Sequence, residues 1–362
     1  MSWLPDADSF RRFAGGPSAG VLQPVARAGL SILAAPYCVA VAARNTAYDR
    51  GLLRVARARV PVISVGNLTL GGTGKTPLVA WVIRALATAG RRPAIVSRGY
   101  AARRGTVGDE AAELAIILPG VPHAADPDRV VAVRRVAEQA DCAVLDDGFQ
   151  HRRLGRDLDI VAVDATDPFG CGRLFPRGLL REPLSGLARA HAVVLTRAGA
   201  VDATRRDEIR AALDRACGGR LPAAWMEAEH RPVSIRTATG VVEPLATLVG
   251  RRVVACAGIG NPTAFRDTLV TAGAEVAAFL RFADHHAYRA ADFRRLAAAV
   301  GATGATLIVT TLKDLVKMPH ERIGGMPVVA LEIALAPSTG AETLERLVVA
   351  AAASGGPAAA QA

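Results

Sequence analysis

Lys75 closes the run Gly71-Gly72-Thr73-Gly74-Lys75-Thr76, whose residue types suit the cradling of phosphate. Glycines let backbone N–H groups turn inward around phosphate oxygens. A lysine can reach the β- and γ-phosphates, and a threonine hydroxyl can hold Mg²⁺. Such a loop holds a nucleoside triphosphate. It leaves open whether the terminal phosphate goes to water, to a protein switch or to an acceptor hydroxyl.

The elements that would position the loop are legible on both sides of it. "VPVISVG" (60–66) predicts a strand. Residues 75–89 predict a helix with Leu78, Val79, Val82, Ile83 and Leu86 on one face and Gly90 as its stop. Asn67, Thr69 and Leu70 join the loop as nucleotide-binding candidates. Thr69 occupies the place of the first glycine of the usual spacing. The doubled glycine instead resembles the GGxGKT variant, without its extra lysine because position 70 is Leu.

"CAVLDDGFQHRR" (142–153) is an apolar strand ending in Asp146 and Asp147. A carboxylate at such a strand end orders Mg²⁺ and its waters, and an adjacent one can position another group. Asp-Asp-Gly is also ordinary turn chemistry. In "SRGYAARRGTVGDEAAELA" (97–115), Asp109 and Glu110 stand at a helix start, where acidic residues favour the helix dipole. "FADHHAYRAADF" (282–293) sets His285 and His286 beside Asp284, a pattern open to general-base chemistry, to helix capping or to surface histidines.

Composition narrows the class. The chain has 362 residues, 51% hydrophobic, enough for two domains with cores of their own. Five scattered cysteines form no CxxC pair, which suggests a reducing compartment with neither a disulfide framework nor a zinc site. The charged start of the chain, with Asp6, Asp8, Arg11 and Arg12, is not expected to be a cleavable signal peptide. Net charge is +11, which suits a phosphorylated substrate or an anionic membrane surface. Nucleic acid is not expected as a partner, because aromatics are only 4% and no stacking motif is present. Of 44 basic residues only Lys75, Lys313 and Lys317 are lysine, and the latter two lie together in "TTLKDLVK" (310–317). In an arginine-rich chain, the remaining lysines mark places that want a compact ammonium.

Apolar residues 20–43, with an uncharged core of 16 residues (28–43) containing Pro36, precede arginines at 44, 50, 54, 57 and 59. The core is short of the roughly 20 residues that span a bilayer, and its basic flank suits an anionic interface. A helix packed on its own domain is the alternative. Further strands are expected at 93–97, 142–146, 159–164 and 192–196, and the alternation with helices indicates a parallel sheet covered on both faces. A second, smaller α/β unit begins near Arg251, with strands at 253–258, 274–280 and 305–311 and helices after Pro262 and from Ala290. The expected organisation is an N-terminal segment (1–58), a P-loop domain (59–225), a connection (226–250), a smaller α/β domain (251–335), and a C-terminal helix with a disordered tail (336–362).

Together, "VGNLTLGGTGKTP" (65–77), "SRGY" (97–100), "GDE" (108–110), "DDGFQHRRLGRDLDIVAVDA" (146–165), "GLLREPLSGLARA" (178–190), "AGIGNP" (257–262), "FADHHAY" (282–288) and "TTLKDLVK" (310–317) resemble the tetraacyldisaccharide 4′-kinase family, the lipid A kinases of Gram-negative bacteria. The chain departs from the family pattern at Leu179, where Gly-Pro-Leu-Arg-Glu is usual. The resemblance implies transfer of the γ-phosphate of ATP to the 4′-hydroxyl of a tetraacylated glucosamine disaccharide 1-phosphate, giving lipid IVA. It implies two α/β/α domains joined by a short two-stranded linker, and an N-terminal helix at the cytoplasmic face of the inner membrane. It makes Asp109 the catalytic base, His285 its partner, and Lys75 and Asp147 further catalytic residues. Thr76, Glu110, Asp146 and Asp147 become metal-side candidates, and Arg98, Tyr100 and Arg181 substrate contacts. A base and histidine on different domains imply closure over ATP. The enzyme is expected to act as a monomer. The competing reading is a GGxGKT-type regulatory or metal-delivery NTPase.

Overall fold

The computed structural model describes residues 10, 13–16, 22–99, 108–284 and 286–354. The tail expected to be disordered lies outside these residues from 355 onward. In chain order, helix α1 (Leu22–Asp49) leads to strand β1 (Val62–Asn67), α2 (Lys75–Thr88), β2 (Pro93–Ser97) and α3 (Asp109–Ile117). Then come β3 (His123–Ala125), α4 (Arg129–Val136), β4 (Cys142–Asp146), β5 (Leu158–Asp164), β6 (Ala192–Thr196) and α5 (Ala203–Ala216). The chain continues through β7 (Ala224–Thr237), β8 (Val242–Pro244), β9 (Arg252–Ala257), α6 (Pro262–Thr271), β10 (Glu275–Arg281) and α7 (Ala290–Thr303). It ends with β11 (Leu307–Thr311), α8 (Leu312–Leu315), β12 (Arg322–Ile323), β13 (Met326–Thr339) and α9 (Ala341–Ala353).

These elements form two compact units. The larger holds the described residues up to 99, Ile117–His230 and 335–354; the smaller holds 108–116 and Arg231–Ala334. Asp109 and Glu110, expected within the P-loop domain, therefore group with the smaller unit. Strands β7 and β13 each begin in one unit and end in the other. Residues 226–250, expected as the connection, contain most of a 14-residue strand, and β7 and β13 are the two strands that pass between the units, in keeping with the two-stranded linker. The position of β13 itself was not read from the sequence.

In the larger unit the strand order is β7-β6-β5-β1-β4-β2-β3, parallel throughout. Strands β1, β2, β4, β5 and β6 are buried along their whole length, as a parallel sheet covered on both faces requires. Helix α2 buries the predicted face, Leu78, Val79, Val82, Ile83 and Leu86. Gly90 follows in the left-handed region, φ 75°, where glycine ends a helix without steric cost. Helix α9 packs back on α2 and β1.

The smaller unit carries β10, β9, β11 and β13 side by side in parallel, over a core that includes Val253, Ala255, Leu269, Val309 and Leu331. Helix α6 starts as its sequence signals: the Asn261 side chain accepts the Ala264 N–H at 3.1 Å and Pro262 takes the first turn.

Helix α1 runs for 28 residues, straight through Pro36. Among the described residues one helix, Gln23–Asp49, is long and apolar enough to cross a membrane by length and composition. It is longer than the 16-residue uncharged core because it extends beyond that core at both ends, through Arg27 and past Arg44. Val25, Ile32, Leu33 and Val39 on it are all more than 60% exposed. The other side of the helix packs on the larger unit, as the alternative expected, with Ala34 and Val41 buried and Tyr37 bonded to the Arg181 carbonyl.

Candidate functional site

Strand pairing brings the two principal motifs together. Val65 of β1 lies opposite Asp146 of β4, so the phosphate loop and the paired carboxylates leave the same carboxyl edge of the sheet. Parallel α/β sheets bind ligands at that edge. Gly71 and Gly74 have φ of 105° and 80°, and Gly74 stands immediately before α2, so the loop turns directly into a helix N-terminus. That terminus offers unpaired N–H groups and the positive end of the dipole to an anion. Thr76 lies in its first turn.

The loop is braced from several sides. Thr196 Oγ1 donates to the Thr73 carbonyl at 2.8 Å, and Arg197 Nη2 donates to the Gly72 carbonyl at 3.0 Å while pairing with Asp164. Leu70 N–H donates to the Leu179 carbonyl at 2.7 Å, and Thr69 bridges antiparallel to Leu180. Leu179 contributes through its backbone, its own N–H donating to the Gly170 carbonyl at 2.9 Å.

Lys75 reaches back to Asn67 Oδ1 at 3.3 Å and to Asp147 Oδ1 at 3.5 Å. Asp147 adopts φ 58° and takes both Arg181 contacts, at 2.9 and 2.7 Å from Nη1. Burial pushes the Asp147 carboxyl up, but Lys75 and Arg181 outweigh it and hold it lowered to about 2. Asp146 is buried at the end of β4. Arg98 is exposed just beyond β2. Tyr100 lies outside the described residues.

Several contributors had been given no role from the sequence, although Gln150 and Glu182 lie within motifs it showed. Buried Arg129 is affected by the charges of Asp147, Asp146 and Arg98; burial lowers its pKa and the two aspartates oppose that. Fully buried Glu182 accepts from Arg189 at 2.7 Å, Gln150 at 2.9 Å and Asn45 of α1 at 3.2 Å. Gln150 also donates to the Asn67 carbonyl at 2.8 Å. Tyr37 of α1 donates to the Arg181 carbonyl at 2.7 Å. His230 of β7 sits behind Gly74, its Nε2 buried without a hydrogen bond. Burial first and Arg197 second lower its pKa to about 3. A histidine at the midpoint of a strand offered no sequence signal of that position.

The smaller unit gathers its own polar cluster. Lys317 Nζ lies 2.8 Å from Asp314 Oδ1 and 3.8 Å from Asp109 Oδ2, and over the Tyr288 ring at 5.6 Å. Burial, then Asp314 and Cys256, raise the Tyr288 phenol. Asp284 pairs with Lys313 at 2.9 Å, and the carboxylate on His286 is Asp292, at 2.8 Å. The histidine–Asp284 pairing suggested by adjacency does not hold for His286, because Asp292 in the first turn of α7 points back to it. His285 lies outside the described residues.

A glycine-rich loop between a buried parallel strand and a helix, with a lysine and strand-end aspartates beside it, defines a P-loop nucleotide-binding α/β protein. The family model described as tetraacyldisaccharide-1-P 4′-kinase (LpxK) matches residues 26–351. The chain belongs to that family. A tetraacyldisaccharide 4′-kinase of Anaeromyxobacter dehalogenans (strain 2CP-C) is 43% identical over 318 residues, covering 83% of each chain. That of Geobacter metallireducens is 39% identical over 337 residues, covering 87% of this chain and 96% of its own. The crystal structure of the "apo" form of LpxK from Aquifex aeolicus in complex with ATP superposes with a TM-score of 0.70 at 29% identity, covering 90% of this chain and 99% of that one.

Proposed function

We propose that this chain transfers the γ-phosphate of ATP to the 4′-hydroxyl of a tetraacylated glucosamine disaccharide 1-phosphate, forming lipid IVA in lipid A biosynthesis. The observation that carries the reading is the Lys75 ammonium held at the loop by Asn67 and Asp147, in a chain of the 4′-kinase family. The residues of 67 and 69–76 bind the nucleotide. Lys75 turns to the β- and γ-phosphates, and Asp147 with Arg181 keeps it aimed.

Asp109 is the base. It takes the proton of the 4′-hydroxyl as that oxygen bonds to the γ-phosphorus, while the bond to the bridging oxygen breaks and ADP leaves. His285 orients it. Arg98, Tyr100 and Arg181 meet sugar or phosphate groups. The donors Thr76, Asp146, Asp147 and Glu110 are hard oxygens, as Mg²⁺ requires. These residues would hold the ion, which when bound offsets charge on the phosphate oxygens. Asp109 groups with Arg231–Ala334, so the expected placement of base and histidine on different domains does not hold, and the closure argued from it loses its premise. The enzyme acts as a monomer at the cytoplasmic face of the inner membrane. The exposed apolar side of α1 and the arginines after it support that placement.

The test is transfer of labelled γ-phosphate from Mg·ATP to the disaccharide-1-phosphate lipid in mixed micelles, with free phosphate counted in parallel. Label on the lipid, lost in Asp109→Ala while ATP still binds, is the expected result. Label found only as free phosphate would make the chain a hydrolysing NTPase.

A further inference from the structure

Lys317 is one of three lysines among 44 basic residues, and the reaction described above gives it no role. Its side chain is 12% exposed and lies between two carboxylates: Asp314, fully buried, and Asp109, 23% exposed. Asp314 is itself immobilised. Its Oδ2 accepts the Gly258 N–H and the Thr311 hydroxyl, both at 2.8 Å, and its own N–H donates to Thr311 Oγ1 at 3.1 Å. Its Oδ1 faces the ammonium at 2.8 Å as an ion pair, without hydrogen-bond geometry. The Tyr288 ring closes over the ammonium at 5.6 Å, an arrangement in which the ring face attracts a cation.

The approach to Asp109 is longer. At 3.8 Å it is an ion pair beyond hydrogen-bond reach. At that distance the ammonium attracts the carboxylate without itself taking up a hydrogen bond to it. A guanidinium would be planar, wider and bidentate, and would cap both oxygens. A compact point charge on a rigid anchor suits the task.

We infer that Lys317, anchored by Asp314, is the positioning residue that aims the Asp109 carboxylate at the acceptor hydroxyl. The inference rests on Asp109 being the base, and it adds a lysine–aspartate pair that acts only through it. Lys317 takes no proton and touches no reacting atom.

The full chain is assayed in mixed micelles for kcat and for the ATP KM, with Lys317→Met, Asp109→Asn and the two combined. Lys317→Met is expected to lower kcat by about 100-fold, the scale of losses from misplaced catalytic groups, with the ATP KM within about twofold. In the Asp109→Asn background the same substitution is expected to cost less than about threefold, because the group it aims is gone. Losses that multiply would overturn the inference. Because Lys317→Met strands a buried carboxylate, Lys317→Met/Asp314→Asn removes both charges together. That pair is expected to regain thermal stability while kcat stays low; recovery of kcat would show a purely structural role and sink the idea. If Asp109→Asn transfers phosphate at the unaltered rate, the base assignment itself fails. That result is distinct from one in which only the coupling is missing.

Discussion

His230 fills the space behind Gly74: a Cβ built on that glycine would collide with the imidazole Nε2 and Cε1. The glycine is also held at φ 80°, a region costly for side-chain-bearing residues. The loop's approach to β7 thus depends on glycine twice over, once for its backbone and once for its missing side chain.

Gly74→Ala separates the two demands. In the unaltered background it meets both the backbone penalty and the collision, and about 2–5 kcal/mol of stability is expected to be lost. In a His230→Ala background only the backbone share remains, about 1–2 kcal/mol. Denaturant unfolding of the four proteins measures the difference, and equal costs in both backgrounds would refute the contact.

The same histidine makes stability pH-dependent. Its folded pKa lies near 3, below the 6.5 of the unfolded chain, so between those values the unfolded state binds a proton that the native state does not. Stability contributed above pH 6.5 is therefore lost progressively as pH falls from about 6.5 towards 3. His230→Gln is expected to flatten that slope in unfolding curves taken from pH 7 to pH 4, and an unchanged slope would count against it.

Glu182 is the joint between helix α1 and the strap beside the phosphate loop. Glu182→Ala leaves Arg189, packed over the Phe149 ring at 4.8 Å, without its carboxylate and removes the Asn45 contact. Loss of about 2–3 kcal/mol is expected, below the full figure for a buried pair because Arg189 is partly solvated. Limited proteolysis should cut α1 faster in the variant, and an unaltered cleavage rate would contradict the joint.

The exposed face of α1 is testable with lipid. Ile32→Asp combined with Leu33→Asp is expected to weaken sedimentation with anionic vesicles at least tenfold, since each buried apolar side chain is worth about 1.5–3 kcal/mol. Melting temperature should stay unchanged because both positions are exposed. Vesicle binding that survives both substitutions would place the contact elsewhere.

What could be read ahead followed contiguity. Gly71 to Thr76, Asp146 with Asp147, and the buried stripe of α2 each lie within one short run, where residue type and period are enough. Arg129 and His230 reach the loop from positions up to about 160 residues away, and no local pattern announces them; Glu182 lies in a quoted motif, but its bonds to Arg189, Gln150 and Asn45 do not show there. Strand β3 is three residues long and was below any periodic signal. Strand β13 includes the apolar run "VVALEIALAP", whose strand character shows only once β11 supplies a neighbour. Of the two histidines beside Asp284, His286 takes Asp292 from the first turn of α7, while Asp284 pairs with Lys313; a run of adjacent letters does not tell which carboxylate a histidine meets.

The Tyr37 hydroxyl on the Arg181 carbonyl gives the chain a mechanical bearing. One residue has its backbone pinned by the apolar helix and its guanidinium on Asp147, the partner of Lys75. A roll of the helix about its axis would strain that bond, so the setting of α1 and the side chain beside Lys75 meet in a single residue.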